Sequence, residues 1–305
     1  MAASQPRPTK RQATENPERD TDATFREWGL ELATQLAAVG LVQTADTGQI
    51  NWVTVTRPIA NTEGGFEVWR FADVQQATAP VYFRIGYGTH GVATAPRIQV
   101  TVGTGTDGAG TLTGTALTII RNANGSVTQV TDTARLSHLC VNEGFFGFNW
   151  KTGAGVSEGS FFFCRTCSSS GVPSADGGMV VWGAGTASAV TATQALRFAA
   201  AAAAYTAQTA TTSRTMLGFS PQMPVSTAVG ADNQVFLGWT ISPRAVPLFG
   251  VCGVLDAEVA AAVTFLATLV GSTERTYIGL STAAGAFGPE SSGAAGMPKF
   301  AMLWE

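Results

Sequence analysis

The chain has 305 residues, of which 45% are hydrophobic and only 13% charged, with a net charge of −3. That length supports a real core in one large or two modest domains, and the slight acidic balance excludes a basic nucleic-acid groove. No stretch approaches the ~20 uninterrupted apolar residues of a helical membrane span, so neither nucleic acid nor a membrane span is expected.

Residues 1–22 form a polar arm carrying Arg7, Lys10, Arg11, Glu15, Glu18, Arg19, Asp20 and Asp22 among prolines. It has no apolar run of the secretory kind, so the chain is expected to be made in a cytoplasm. Nor can the arm bury enough surface to order itself, so it is expected to order against a neighbour.

Residues 24–39 carry the clearest helical pattern. Thr24 and Glu27 have capping-box spacing. Phe25, Trp28, Leu32, Leu36 and Val39 recur on one face, and Gly40 supplies a stop. Two roles are open for that face: packing on the chain's own domain, or docking on a neighbouring subunit.

From residue 50 the period changes to two. Ile50 and Trp52 alternate with Asn51 and Val53, and Phe66 and Val68 with Glu67 and Trp69. In PVYFRIGYG, Val81, Phe83, Ile85 and Tyr87 share a face, as do Ile98, Val100 and Val102 in PRIQVTV. These read as half-buried antiparallel strands. Asn124-Gly125 suits a hairpin turn. Further strands are expected at 135–141, 145–150, 160–166, 178–183, 234–240, 246–254, 262–270, 275–281 and 298–304. QALRFAAAAAAYTAQ and LDAEVAAAVTFLATLVG fit helix or strand, and strand is preferred for both. Residues 184–195 and 205–232 read as Thr-, Ser-, Gly- and Ala-rich loops. Many short strands with Gly-rich turns and one short helix predict a mainly β protein, an antiparallel β-sandwich of jelly-roll-like type. Residues 1–40 are assigned to arm and helix and 41–305 to the β region, with a subdomain division near 175.

Chemical motifs lack their required context. Gly103, Gly105 and Gly108 match a dinucleotide fingerprint, but the β-branched AGTLTGTALTII follows where a helix must begin. Gly155, Ser157 and Gly159 match a nucleophile elbow, yet both histidines, His90 and His138, precede the serine. His138, Cys140, Cys164 and Cys167 could hold zinc, pair as disulfides, or remain idle thiols, and the pattern leaves this open. Glu143 and Glu158 flank the aromatic FFGFNW, as glycan-cleaving carboxylates could. Asn124-Gly-Ser is formally a glycosylation acceptor. No cofactor is expected, and the chain is read as a non-enzyme.

The stretch FEVWRFADVQQATAPVYFRIGYG, followed by PRIQVTVGTGTDGAGTLTG, resembles structural proteins of tailed-phage virions, of the tail, baseplate and fibre kind. The likeness covers about residues 66–115 and carries no catalytic residues. It implies a β-rich subunit, located in the virion, that associates with copies of itself and with neighbouring phage structural proteins. Tail tip or baseplate is the first expectation. A capsid decoration protein and a carbohydrate-binding attachment protein touching a host surface glycan are the alternatives. Phe25, Trp28, Leu32 and Leu36, with Phe300, Met302 and Trp304 of the terminal KFAMLWE, are the expected assembly contacts.

Overall fold

A computed structural model of the chain describes residues 9–15, 21–38, 40–90, 92–114 and 117–120, then the strands named below from residue 135 and Trp304. In chain order the elements are β1 (Thr9–Glu15), α1 (Asp22–Ala38), β2 (Val42–Gln43), β3 (Glu63–Arg70), a 3₁₀ turn (Val74–Ala77), β4 (Tyr82–His90) and β5 (Val92–Gly103). The short β6 (Gly105–Thr106) and β7 (Leu112–Thr113) precede β8 (Leu117–Ile120), β9 (Arg135–Asn142), β10 (Phe145–Thr152), β11 (Glu158–Arg165) and β12 (Met179–Gly185). There follow β13 (Thr193–Arg197), β14 (Thr206–Gln208), β15 (Leu217–Phe219), β16 (Ser226–Thr227) and β17 (Gln234–Thr240). The last are β18 (Val246–Val254), β19 (Thr264–Ala267), β20 (Arg275–Gly279) and β21 (Lys299–Leu303).

The chain is mainly β. One sheet runs β2-β3-β4-β5-β8, a second β1-β9-β10-β11-β12-β13-β14, and a third β15-β17-β18-β21-β20-β19 with β16 on β17. Among the described residues all paired strands are antiparallel, and most neighbours in a sheet are neighbours in sequence. The first sheet follows its alternation in β4 and β5, while β3 buries Val68 as well as its neighbours Glu67 and Trp69. Glu67 and Trp69 of β3, Phe83, Ile85 and Tyr87 of β4, and Ile98, Val100 and Val102 of β5 are buried at matching register positions of one face.

That face has two covers. α1 lays Phe25, Trp28, Leu32 and Leu36 over one part, and Phe146 of β10 and Phe163 of β11 cover another, all in one core. Phe83 stacks with both of these, its ring centre 5.2 Å from Phe146 and 5.1 Å from Phe163. Elsewhere β8 lies against β12 and β13, and β11 against β18. Residue 175 falls between β11 and β12, which pair from Gly159–Gly185 to Arg165–Met179.

The helix begins one turn earlier than its sequence pattern suggests. Thr21, not Thr24, is the cap: the Thr24 N–H donates to Thr21 Oγ1 at 3.1 Å, and the Thr21 N–H donates to Thr24 Oγ1 at 3.2 Å. Thr24 thus fills the reciprocal place that Glu or Gln usually takes. At the other end Gly40, at φ +95°, donates to the Ala37 carbonyl at 3.0 Å while Leu41 donates to that of Leu36 at 3.2 Å. This is a Schellman stop, which the left-handed glycine makes possible. Val39 lies outside the described residues.

Residues 50–53 are not a strand. The Asn51 side chain accepts from the Val53 N–H at 2.9 Å, and the Asn51 carbonyl accepts from Thr54 and Val55 at 3.1 and 2.9 Å. This local capture bends the backbone out of a ladder and turns Trp52 into the core. Two expected loops hold short strands: β13 enters residues 184–195, and β14, β15 and β16 lie within 205–232. Their Thr content suits edge pairing even without apolar alternation. β13 and β14 take the two ends of QALRFAAAAAAYTAQ, and β19, within the second ambiguous stretch, hairpins with β20 just beyond it. Asn124-Gly125 lies outside the described residues.

Candidate functional site

The chemistry of the described residues concentrates at three buried charges. The first is Glu67, 2% exposed, where the α1 side meets the sheet. Oε1 accepts from the Trp52 indole at 3.0 Å, and Oε2 from the Trp69 indole at 3.2 Å and the Tyr87 hydroxyl at 2.6 Å. Trp52 sits against α1, where a Cβ at Gly29 would overlap its ring. Tyr87 meets both Trp52 and Trp28 edge-on, at 4.8 and 5.8 Å between ring centres. Burial pushes the Glu67 carboxyl up, and the three donors, Tyr87 first, oppose that only in part. Every partner is neutral. The site holds the helix, the turn at 51–55 and two strands to one carboxylate.

The second is Arg165 at the end of β11, fully buried. Its Nε and one terminal nitrogen donate to the two oxygens of Asp73 at 2.5 and 2.9 Å, and the other terminal nitrogen donates to the Ala79 carbonyl at 3.0 Å. This bidentate pair joins the second sheet to the segment leading into β4, beside the Phe83–Phe146–Phe163 stack.

The third is Asp46, which clasps the glycine-rich connection after β5. Oδ1 accepts from Thr44 at 2.6 Å, and Oδ2 accepts from the Thr106 hydroxyl and, at 2.9 Å, from the Gly110 N–H. Burial alone would push this carboxyl up, but the hydrogen bonds from Thr106, Thr44 and Gly110 outweigh it and hold it below the usual range. Within the connection, Asp107 accepts from Ala109 at 2.8 Å and Thr111 at 3.0 Å. Gly110, at φ +90°, brings backbone against the Phe66 ring where a Cβ would overlap it.

The residues singled out from sequence scatter rather than converge. For α1 the structure shows the intramolecular alternative: Phe25, Trp28, Leu32 and Leu36 are 1–3% exposed in the chain's own core. These four side chains pack on β3–β5 within the chain. Phe300 and Met302 lie in β21 at the register of Gly253 and Val251, and Trp304 is buried with its N–H on the Thr276 carbonyl at 2.8 Å. Gly103, Gly105 and Gly108 form the strand connection already described, which leads into β7 and β8, with no helix after it among the described residues.

His138 and Cys140 lie on β9 and Cys164 on β11, with β10 between them. Two strand spacings are ~10 Å, beyond the ~7 Å limit for a disulfide, so Cys140 and Cys164 do not pair in this sheet. Cys252 is on β18, and Cys167, Glu143 and Ser157 lie outside the described residues. Glu158 stands at the register of Lys151.

Sequence reasoning missed all three buried charges, although two left a signal. Glu67 shares the inward parity of Trp69 in FEVWRF, and Arg165 that of Phe163 in FFFCR. A charge at an inward strand position is a buried charge that needs a partner. Leu30, Val53, Ile59 and Val74 are the large exposed apolar side chains among the described residues; Leu30 is on α1, Val53 and Ile59 are in the β2–β3 connection and Val74 is in the 3₁₀ turn. No helix among those residues is long and apolar enough to cross a membrane. Comparisons with protein-family models and with curated proteins find no match for this chain.

Proposed function

We propose that the chain is a non-enzymatic structural subunit of a phage virion, in the tail tip or baseplate, that assembles with copies of itself and with neighbouring virion proteins. The observation that carries this reading is the use made of buried charge. Glu67, Asp46 and the Asp73–Arg165 pair are each bonded to residues of their own chain, and each fastens one part of the fold to another. Charges arranged so serve mechanical coherence, since a carboxylate committed to three buried donors is not presented to a substrate.

The low charged fraction and the phage-like stretch over residues 66–115 support the same reading. The finer architecture we propose is a β-sandwich, supported by the face-to-face stack of Phe83 on Phe146 and Phe163. Gold-labelled antibody against the chain on purified particles tests the function. Label at the tail tip or baseplate is the expected result. Label on the head would make the chain a capsid decoration protein, and its absence from particles would overturn the reading.

A further inference from the structure

We propose that β1 is an exchangeable strand: on self-association, Thr9–Glu15 of one copy occupies the place beside β9 of a second copy. This deepens the proposed self-association and rests on it. The occupant is a second copy of this chain, and four features of the structure identify it.

The first is position. β1 is the outermost strand of the second sheet, whose other members run consecutively from β9 to β14. It comes from the far end of the chain, so the edge of β9 is completed by a segment that arrives from elsewhere. The second is composition. TKRQATE holds one apolar residue, Ala13, so the ladder rests on backbone hydrogen bonds. Each contributes about 1 kcal/mol net, against about 1–2 kcal/mol per residue for ordering the backbone. Such a strand is held marginally and can leave.

The third is fit. All seven residues have partners, from Thr9–Val141 to Glu15–Arg135, and the last pair sets opposite charges in register. Once β1 leaves, β9 presents a row of unpaired backbone groups that the same strand of another copy satisfies equally well. The fourth is the connection. Upstream of α1 the chain is anchored by the Thr21 cap and by Asp22, which accepts from the Arg57 N–H at 2.8 Å. Between anchor and strand stand only Asn16-Pro17-Glu18-Arg19-Asp20. Only five residues, one of them proline, separate the anchor from a strand with replaceable contacts, and a connection that short favours exchange.

The register supplies its own reporter. Lys10 is the partner of Cys140, and directly opposed Cα atoms, ~4.5–5.5 Å apart, are within disulfide range. In full-length protein carrying Cys164→Ser, Cys167→Ser and Cys252→Ser, Lys10→Cys is expected to give reductant-sensitive covalent dimers and longer ladders. Arg11→Cys, one residue along and on the other strand face, is expected to give few. A disulfide confined to monomers, no disulfide at all, or equal ladders from both variants would overturn the exchange.

A second full-length variant, Gln12→Pro with Ala13→Pro, places a proline at a ladder donor whichever residue faces β9. It is expected to stay folded by near-ultraviolet circular dichroism and to sediment as monomer where the parent associates. Unchanged association would count against the proposal. If the chain is found in particles while the Lys10→Cys disulfide stays within monomers, only the exchange fails. If the chain is absent from particles, the functional reading fails independently.

Discussion

The two joints that cover the face of β3–β5 solve the same problem differently. At the α1 side a buried carboxylate, Glu67, is answered by three neutral donors, Trp52, Trp69 and Tyr87, all within a short span of sequence. At the second-sheet side a buried guanidinium, Arg165, is answered by the opposite charge of Asp73, far back in the chain. The Arg165–Asp73 pair is neutral overall, whereas Glu67 keeps its charge whenever it ionises. The local joint is therefore sensitive to pH, and the long-range joint is sensitive to loss of either partner.

The largest expected effect comes from halving the pair. Arg165→Met or Asp73→Leu alone leaves an unmatched buried charge and should cost about 3–5 kcal/mol of stability. The double variant should cost less than either single change, because no charge remains to be matched. Denaturant titration of all three checks this, and additive losses would contradict the account. Glu67→Ala leaves two indole N–H groups and a hydroxyl without their acceptor. It should cost about 2–4 kcal/mol, at one to three per unsatisfied buried group with some relief by relaxation.

Glu67→Gln sharpens the comparison by removing the titration while keeping the shape. Since the folded carboxyl is raised by burial, folding favours its protonated form. Its contribution is fully present below the ordinary glutamate value, about 4.3, and is lost as pH rises through the raised folded value. The variant should lack that decline. Asp46 has the opposite sign: held low in the fold, it contributes above its ordinary value and loses that contribution as pH falls through the folded one. Unfolding free energies measured across the acid range in wild type, Glu67→Gln and Asp46→Asn separate the two slopes. The smallest effect is at the helix stop, where Gly40→Ala forces a side chain into the left-handed region and should cost about 1–2 kcal/mol.

Much of this was legible in the sequence where a single periodicity governs. The alternation in β4 and β5 and the spacing of Phe25, Trp28, Leu32 and Leu36 read correctly as strands and helix, because each packs one apolar face into the core, whereas β3 buries Glu67, Val68 and Trp69 in succession. Periodicity failed where side chains compete with the ladder: Asn51 captures its own backbone, so Trp52 enters the core from a turn. It was silent on β1, whose polar sequence carries no burial signal and whose partner, β9, is remote in the chain. The three buried charges were overlooked because a charged residue is read as surface. Only its parity with Trp69 or Phe163 shows that Glu67 or Arg165 must face inward.

The central claim is that this chain is a fastened structural subunit working within a particle. A cryo-electron-microscopy map of intact particles, traced through residues 1–40, tests it most directly. The account predicts density for the chain at the tail tip or baseplate, with α1 on its own sheet and the Thr9–Glu15 strand beside β9 of an adjacent copy. Particles without this density, with the chain recovered only as a free monomer, would contradict it.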